Sequence, residues 1–212
     1  MIRRWRLLLY GLCFLFLYAA TGSAQTVINL DGARIAGAKD ARVTLVEFAD
    51  YQCPFCAGHF RETFPLIEKN YLRTGKVKYV FFDFPLEHSH PQAFKAAIAA
   101  YCAGEESKYW EMHAYLFTHQ QELFEKDLLH HAQALGLDPS KFERCLDNEE
   151  SAIKVRKELA EGKKAGVKGT PTFLLGLTIS NGTEMQVYQQ ISGAQPYSTF
   201  QKALDGLLQI DR

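Results

Sequence analysis

The chain of 212 residues lacks most of the features that assign a protein to a class at sight. It has no excess of either charge: 24 basic side chains balance 24 acidic ones, so nothing electrostatic argues for nucleic acid as a partner. Its 7 prolines and 15 glycines are too few and too scattered for a collagen-like fibre or a disordered tract. There is no internal repeat, no low-complexity stretch and no flexible linker. A glycine-rich phosphate loop is missing, and no Ser-His-Asp set can be located. The longest uncharged apolar run, Leu7 to Ala20, has 14 residues, whereas a membrane-spanning helix needs about 20. Cysteine is scarce but odd in number, at five. What remains is 47% hydrophobic, enough for one domain with a real core.

The apolar run follows Arg3, Arg4 and Arg6 and ends in small residues, with Gly22 and Ala24 at −3 and −1 of a cut before Gln25. Basic start, apolar middle and small-residue site make residues 1–24 a secretory signal peptide, with an uncleaved membrane anchor as the alternative. Cleavage removes three arginines and no acids, so the mature 188 residues carry −3. It also removes Cys13, leaving Cys53, Cys56, Cys102 and Cys145 in a compartment where disulfides persist.

Val43 to Ala49 is a short β-branched run that reads as a buried central strand. A helix follows from Cys53 to about Tyr71, with a kink predicted at Pro65, then a second strand from Lys76 to Phe82. A unit of this length predicts parallel strands with a right-handed crossover. From Pro91 to about Gly166 the pattern is helical throughout, including a helix capped by Asp138-Pro139. Thr172 to Leu175 reads as a strand, Asn181-Gly182 as a hairpin turn before glycosylation, and Met185 to Ile191 as the partner strand. Pro196 to about Leu208 closes the chain as a helix.

The strand at 43–49 delivers Cys53-Pro54-Phe55-Cys56 to a helix start. Unpaired backbone N–H groups and the positive end of the helix dipole favour thiolate there, and proline suits the first helical position. Two intervening residues let Cys53 and Cys56 cycle between disulfide and dithiol, with Cys53 the exposed attacking sulfur and Cys56 the resolving one. An inert disulfide and half of a zinc site are the alternatives; His59 completes only Cys-x2-Cys-x2-His, and a second ligand pair is wanting. Glu47, mid-strand among apolar residues, predicts a carboxyl of raised pKa behind the buried sulfur, able to give or take the Cys56 proton; an exposed edge position is the alternative. Asp50 reads as a solvated cap. Thr170-Pro171 precedes a strand, where sequence alone leaves the peptide bond trans.

The run Val46-Glu47-Phe48-Ala49-Asp50-Tyr51-Gln52-Cys53-Pro54-Phe55-Cys56, the segment Asp83-Phe84-Pro85-Leu86 and Gly169-Thr170-Pro171-Thr172-Phe173 closely resemble DsbA-family thioredoxin-fold oxidoreductases of bacterial envelopes. So do Tyr109 to His113 and Ser192 to Pro196, and the resemblance covers nearly all of residues 40–212. It implies an α/β chain with a thioredoxin fold in two parts, 25–87 and 166–212, around an inserted helical domain at 88–165. It further implies that Pro171 is cis against the active-site pair and that the backbone at Thr170 holds an extended client segment. Glu47 matches the family's buried acid. Pro54-Phe55 departs from the Pro-His of the best-known members, and Gly176 to Ile191 is longer than in compact ones.

Cys102 and Cys145 both fall in the insert and are expected to pair as a structural disulfide, with two free thiols or a second redox pair as alternatives. His88, His90, His130 and His131 read as loop and surface residues, and no metal is expected. Phe94, Tyr109, Trp110, Phe117 and Phe124 read as insert core. The expected function is an exported, periplasmic or otherwise extracytoplasmic monomer that exchanges disulfides with cysteines of other exported proteins. Its redox-active Cys53–Cys56 disulfide takes the place of a cofactor, and a membrane redox partner resets it. A dithiol oxidase is favoured over a reductase with the same site or a non-catalytic binding module or chaperone. About 15 mature residues ahead of the core leave no room for the dimerisation domain of an isomerase.

Overall fold

A computed structural model describes residues 26–210; the segment read as a signal peptide, Cys13 included, lies outside the described residues. Six strands form one sheet: β1 (Val27–Asn29), β2 (Arg34–Gly37), β3 (Val43–Ala49), β4 (Val77–Asp83), β5 (Thr172–Ile179) and β6 (Glu184–Ser192). Their order is β1-β6-β5-β3-β4-β2, with β3 and β4 parallel and every other pair antiparallel. All seven residues of β3 are buried, as a parallel strand covered on both faces requires.

The β3–β4 crossover runs through α1 (Pro54–Glu62), α2 (Phe64–Ile67) and a π-turn at Glu68–Leu72. The break falls at Thr63, ahead of Pro65, whose ring nitrogen has no hydrogen to donate to the preceding turn. Five helices lie between β4 and β5: α3 (Ala93–Glu105), α4 (Tyr109–Thr118), α5 (Glu125–Ala134), α6 (Pro139–Leu146) and α7 (Glu149–Lys164). Asp138 caps α6 by accepting from the Lys141 N–H at 3.0 Å, with Pro139 at the first helical position. The last helix is α8 (Tyr197–Ile210).

The two faces of the sheet feed two cores. Val43, Leu45, Phe81, Phe173 and Leu175 pack with Phe200 of α8 and with Leu116, Phe117 and Phe142 of the insert. Val46, Phe48, Val80, Phe82 and Leu174 pack on the other face with Leu159 of α7. This is the period of two that a pleated strand imposes. A Cβ on Gly162 would stand 2.6 Å from the Phe84 ring and 2.9 Å from that of Phe48, so only glycine lets α7 lie this close.

Several expectations are corrected. Residues 27–37 form β1 and β2, which the sequence pattern does not announce. Phe124 is 57% exposed at the start of α5, outside the insert core. His131 is buried, its Nε2 2.8 Å from the Glu122 carbonyl, because α5 turns that face inward.

Candidate functional site

Cys53 is the N-cap of α1, with extended backbone (φ −72°, ψ 121°), and Pro54 starts the helix. Asp50-Tyr51-Gln52 carry the chain from β3 to this point. The Asp50 carboxylate is buried, contrary to its reading as a solvated cap. It accepts from the N–H groups of Gln52 (2.7 Å) and Leu86 (2.8 Å) and lies 2.9 Å from His90 Nδ1. One side chain thereby ties the loops following β3 and β4 together, and His90 acquires a partner that sequence spacing cannot show. From the insert, Gln120 Nε2 donates to the carbonyls of Tyr51 (2.7 Å) and Cys53 (2.9 Å).

Cys53 and Cys56 are both in the thiol form. The Cys53 residue is only 3% exposed, less than expected for an attacking sulfur, because the chain at Thr170 lies over it; its Sγ is 3.5 Å from the Thr170 carbonyl oxygen. The Thr170–Pro171 peptide bond is cis. Hydrogen bonding from Cys56, with contributions from Thr170 and the backbone N–H groups of Phe55 and Cys56, lowers the Cys53 pKa to about 6 against the opposing effect of burial. Burial pushes Cys56 the other way, and so do its hydrogen bond to Cys53 and the nearby charges of Cys53 and Glu47. Two chemically identical groups three residues apart are thus pushed in opposite directions, one readily ionised and one held as thiol. Beside them, Phe55 is 67% exposed at a cleft of about 390 Å³ lined also by Pro54, Gly58, Glu62, Gln195 and Pro196.

Glu47 is buried in β3, not on an exposed edge. Tyr79, on the parallel neighbour β4, donates its hydroxyl to Oε2 at 2.7 Å. Burial raises the carboxyl pKa to about 8; the Tyr79 bond opposes the rise and Cys53 adds to it. Sequence reasoning finds Glu47 but misses Tyr79, since a tyrosine in a strand carries no spacing signal of its own, and it weighs His59 only as a third member of Cys-x2-Cys-x2-His. Cys102 and Cys145 are joined by a disulfide between α3 and α6, far along the chain from the thiol pair. Among the described residues no three His, Cys, Asp or Glu side chains cluster as metal ligands. Nor is any helix among them long and apolar enough to cross a membrane.

A protonated buried carboxyl has a pH signature. Glu47 ionises at about 8 in the folded protein against 4.5 when unfolded, so stability falls as pH rises through this window. Glu158 (about 7) and its neighbour Asp83 are raised by burial as well and act in the same direction. His59 and His113, lowered to about 3 by burial, cost stability only below their unfolded value of 6.5; over pH 6.5–8 Cys53, lowered to about 6, opposes the carboxyls, and comparison with Glu47→Gln cancels its share. Chemical denaturation at both pH values should show wild type losing about 2 kcal/mol more than Glu47→Gln over that interval. Equal losses would place the Glu47 midpoint outside it.

The thioredoxin family model matches residues 29–205. The chain belongs to the thioredoxin family. Among solved structures it superposes on BdbD from Bacillus subtilis with a TM-score of 0.75 at 25% identity, covering 87% of this chain and 97% of that one. A thioredoxin-like oxidoreductase from Silicibacter pomeroyi gives 0.68 at 26% identity, covering 82% and 91%. Alpha-DsbA1 from Wolbachia pipientis, at 23% identity, shares the fold with a TM-score of 0.71, covering 85% and 93%. A curated relative, the Na(+)/H(+) antiporter NhaA 3 of Salinispora tropica, is 34% identical over 163 residues, which is 74% of this chain. The chain spans about a quarter of that relative's length, at 24%. The match extends from the first strands into α8, so the chain has the thioredoxin fold, with five helices between β4 and β5.

Proposed function

We propose that this chain is an exported protein-disulfide oxidoreductase, acting as a dithiol oxidase on cysteines of other exported proteins. The observation that carries the reading is the opposition of the two thiols: Cys53 lowered to about 6 at a helix start, Cys56 raised beneath it. A client thiolate attacks Cys53 of the disulfide form, and Cys56 leaves with the electron pair and takes a proton from Glu47. A second client thiolate then attacks the client sulfur of the mixed disulfide, releasing client disulfide and reduced Cys53. The carbonyl of Thr170, beside cis-Pro171, is the site for an extended client segment. The chain works as a monomer, and a membrane-bound oxidant returns the pair to the disulfide. An extracytoplasmic location is supported by the pairing of Cys102 with Cys145 and by the likeness to a periplasmic thioredoxin-like protein from Salmonella enterica.

A thiolate stabilised in the reduced form makes the corresponding disulfide more oxidising. Equilibration with glutathione should place the Cys53–Cys56 couple well above the roughly −270 mV of thioredoxin and toward the roughly −120 mV of DsbA. A value near the thioredoxin figure would make the chain a reductase instead. Failure to exchange with glutathione at all would leave a binding module with an inert pair.

A further inference from the structure

His59 is a group that the exchange chemistry above leaves unused. It stands on α1 one turn after Cys56, with its side chain 1% exposed. Its ring is held between Phe173 of β5 (centroids 4.4 Å apart) and Phe200 of α8 (5.1 Å). Neither Nδ1 nor Nε2 has a hydrogen-bond partner. Nε2 lies 3.7 Å from Glu47 Oε2, just beyond hydrogen-bond reach. A slot between two phenylalanine rings would suit a third aromatic ring without polar atoms, and two orphaned ring nitrogens destabilise the fold. Helix α1 also places this imidazole next to the one buried carboxyl that faces the cysteine pair.

We propose that His59 is a positioning residue for Glu47: its Nε2–H is a donor held in reserve for the Glu47 carboxylate that exists only after Glu47 has protonated Cys56. This rests on the exchange reading. When a client thiolate attacks Cys53, the S–S bond breaks and Cys56 leaves as thiolate. The Glu47 proton moves to that sulfur, and the negative charge moves to Oε1/Oε2. The charge then sits in an apolar core with Tyr79 as its one donor. Closing 3.7 Å by less than 1 Å brings Nε2–H onto it as a second, charge-assisted bond. No proton leaves the imidazole, whose low basicity in this slot keeps it a neutral donor. Glu47 regains its proton from solvent once the client has left. The ionisable groups facing the carboxyl are Tyr79 from β4 and Cys53, Cys56 and His59 from α1; β5 and α8 contribute the two phenyl rings.

The test is a carbon-13 titration of the Glu47 carboxyl in the reduced full chain, beside single-turnover oxidation of a dithiol reporter peptide by the disulfide form. Losing a charge-assisted donor should move the Glu47 midpoint in His59→Phe upward from about 8 by about one pH unit. The weaker acid should slow peptide oxidation about threefold near pH 7. His59→Gln, whose side-chain amide carries an N–H, should hold both near wild type. In a Glu47→Gln background, His59→Phe should change the rate no further. Removing two orphaned nitrogens should meanwhile raise Tm by about 2–4 °C. A nitrogen-15 spectrum of wild type needs no variant: it should show hydrogen on Nε2, with a resonance that follows the Glu47 titration. Hydrogen on Nδ1, or an unchanged midpoint in His59→Phe, overturns the proposal while leaving exchange intact. A wild type that never oxidises the peptide sinks the exchange reading instead, and the two titrations still decide the contact.

Discussion

A Cys56→Ser variant should accumulate mixed disulfides through Cys53 and lose turnover by on the order of a thousandfold or more. With a pKa of about 6, Cys53 is mostly thiolate at pH 7 and attacks client disulfides readily. Its largest stabilising contribution is the hydrogen bond from Cys56, and a serine hydroxyl at that position donates in the same way. The nucleophile therefore survives while the resolving sulfur is gone, and each adduct persists. Cys53→Ser gives the opposite result. Cys56 is fully buried and held as thiol, so no sulfur reaches a client and no adduct forms. Non-reducing electrophoresis of both variants after exposure to an oxidising envelope extract separates the cases. Adducts absent from Cys56→Ser would remove the enzyme reading. The alkylation rate of Cys53 in the same variant should rise through a midpoint near 6.

Replacing both Cys102 and Cys145 by alanine should cost about 4 kcal/mol of stability, because the bridge closes a loop of 43 residues in the unfolded chain. For a domain of this size that lowers Tm by about 8–16 °C, readable by calorimetry. The loop contains α4, α5 and the Gln120 side chain that fastens the carbonyls of Tyr51 and Cys53. The damage is thus to the frame around the site, and exchange by folded protein at 25 °C should stay close to wild type. A Tm shift below about 3 °C would mean that helix packing alone holds the insert together.

The site was legible where one residue type has one reason to occur in its place. A cysteine pair at a strand-to-helix junction and a glutamate inside an apolar strand are both expensive or reactive, and few arrangements explain them. The burial of Asp50 was not legible, because its three partners come from Gln52, Leu86 and His90, and the last two are brought in by tertiary folding. Tyr79 was hidden likewise: it reaches Glu47 through the offset between parallel β3 and β4, which no local pattern encodes. For the fold, long periodic elements such as α3 and α7 could be read, while β1 and β2 could not. Strands of three and four residues at sheet edges bury too little to impose alternation. The kink at Pro65 was readable because a missing N–H is a covalent fact.

The strand order also sets a timetable. Leu45 pairs with Leu175, and Val27 with Gln186, so the middle of the sheet and one of its borders both wait for the last quarter of the chain. A chain emerging from a secretion pore N-terminus first would hold β3, β4 and all five insert helices outside before β5 arrives. The helices are local and close quickly, whereas the sheet is completed late and over long loops. During that interval β3, apolar on both sides, has an unpaired edge, and the thiol pair has no Thr170 above it. If the chain is exported as proposed, the site with Thr170 over Cys53 is therefore complete only once β5 has left the pore.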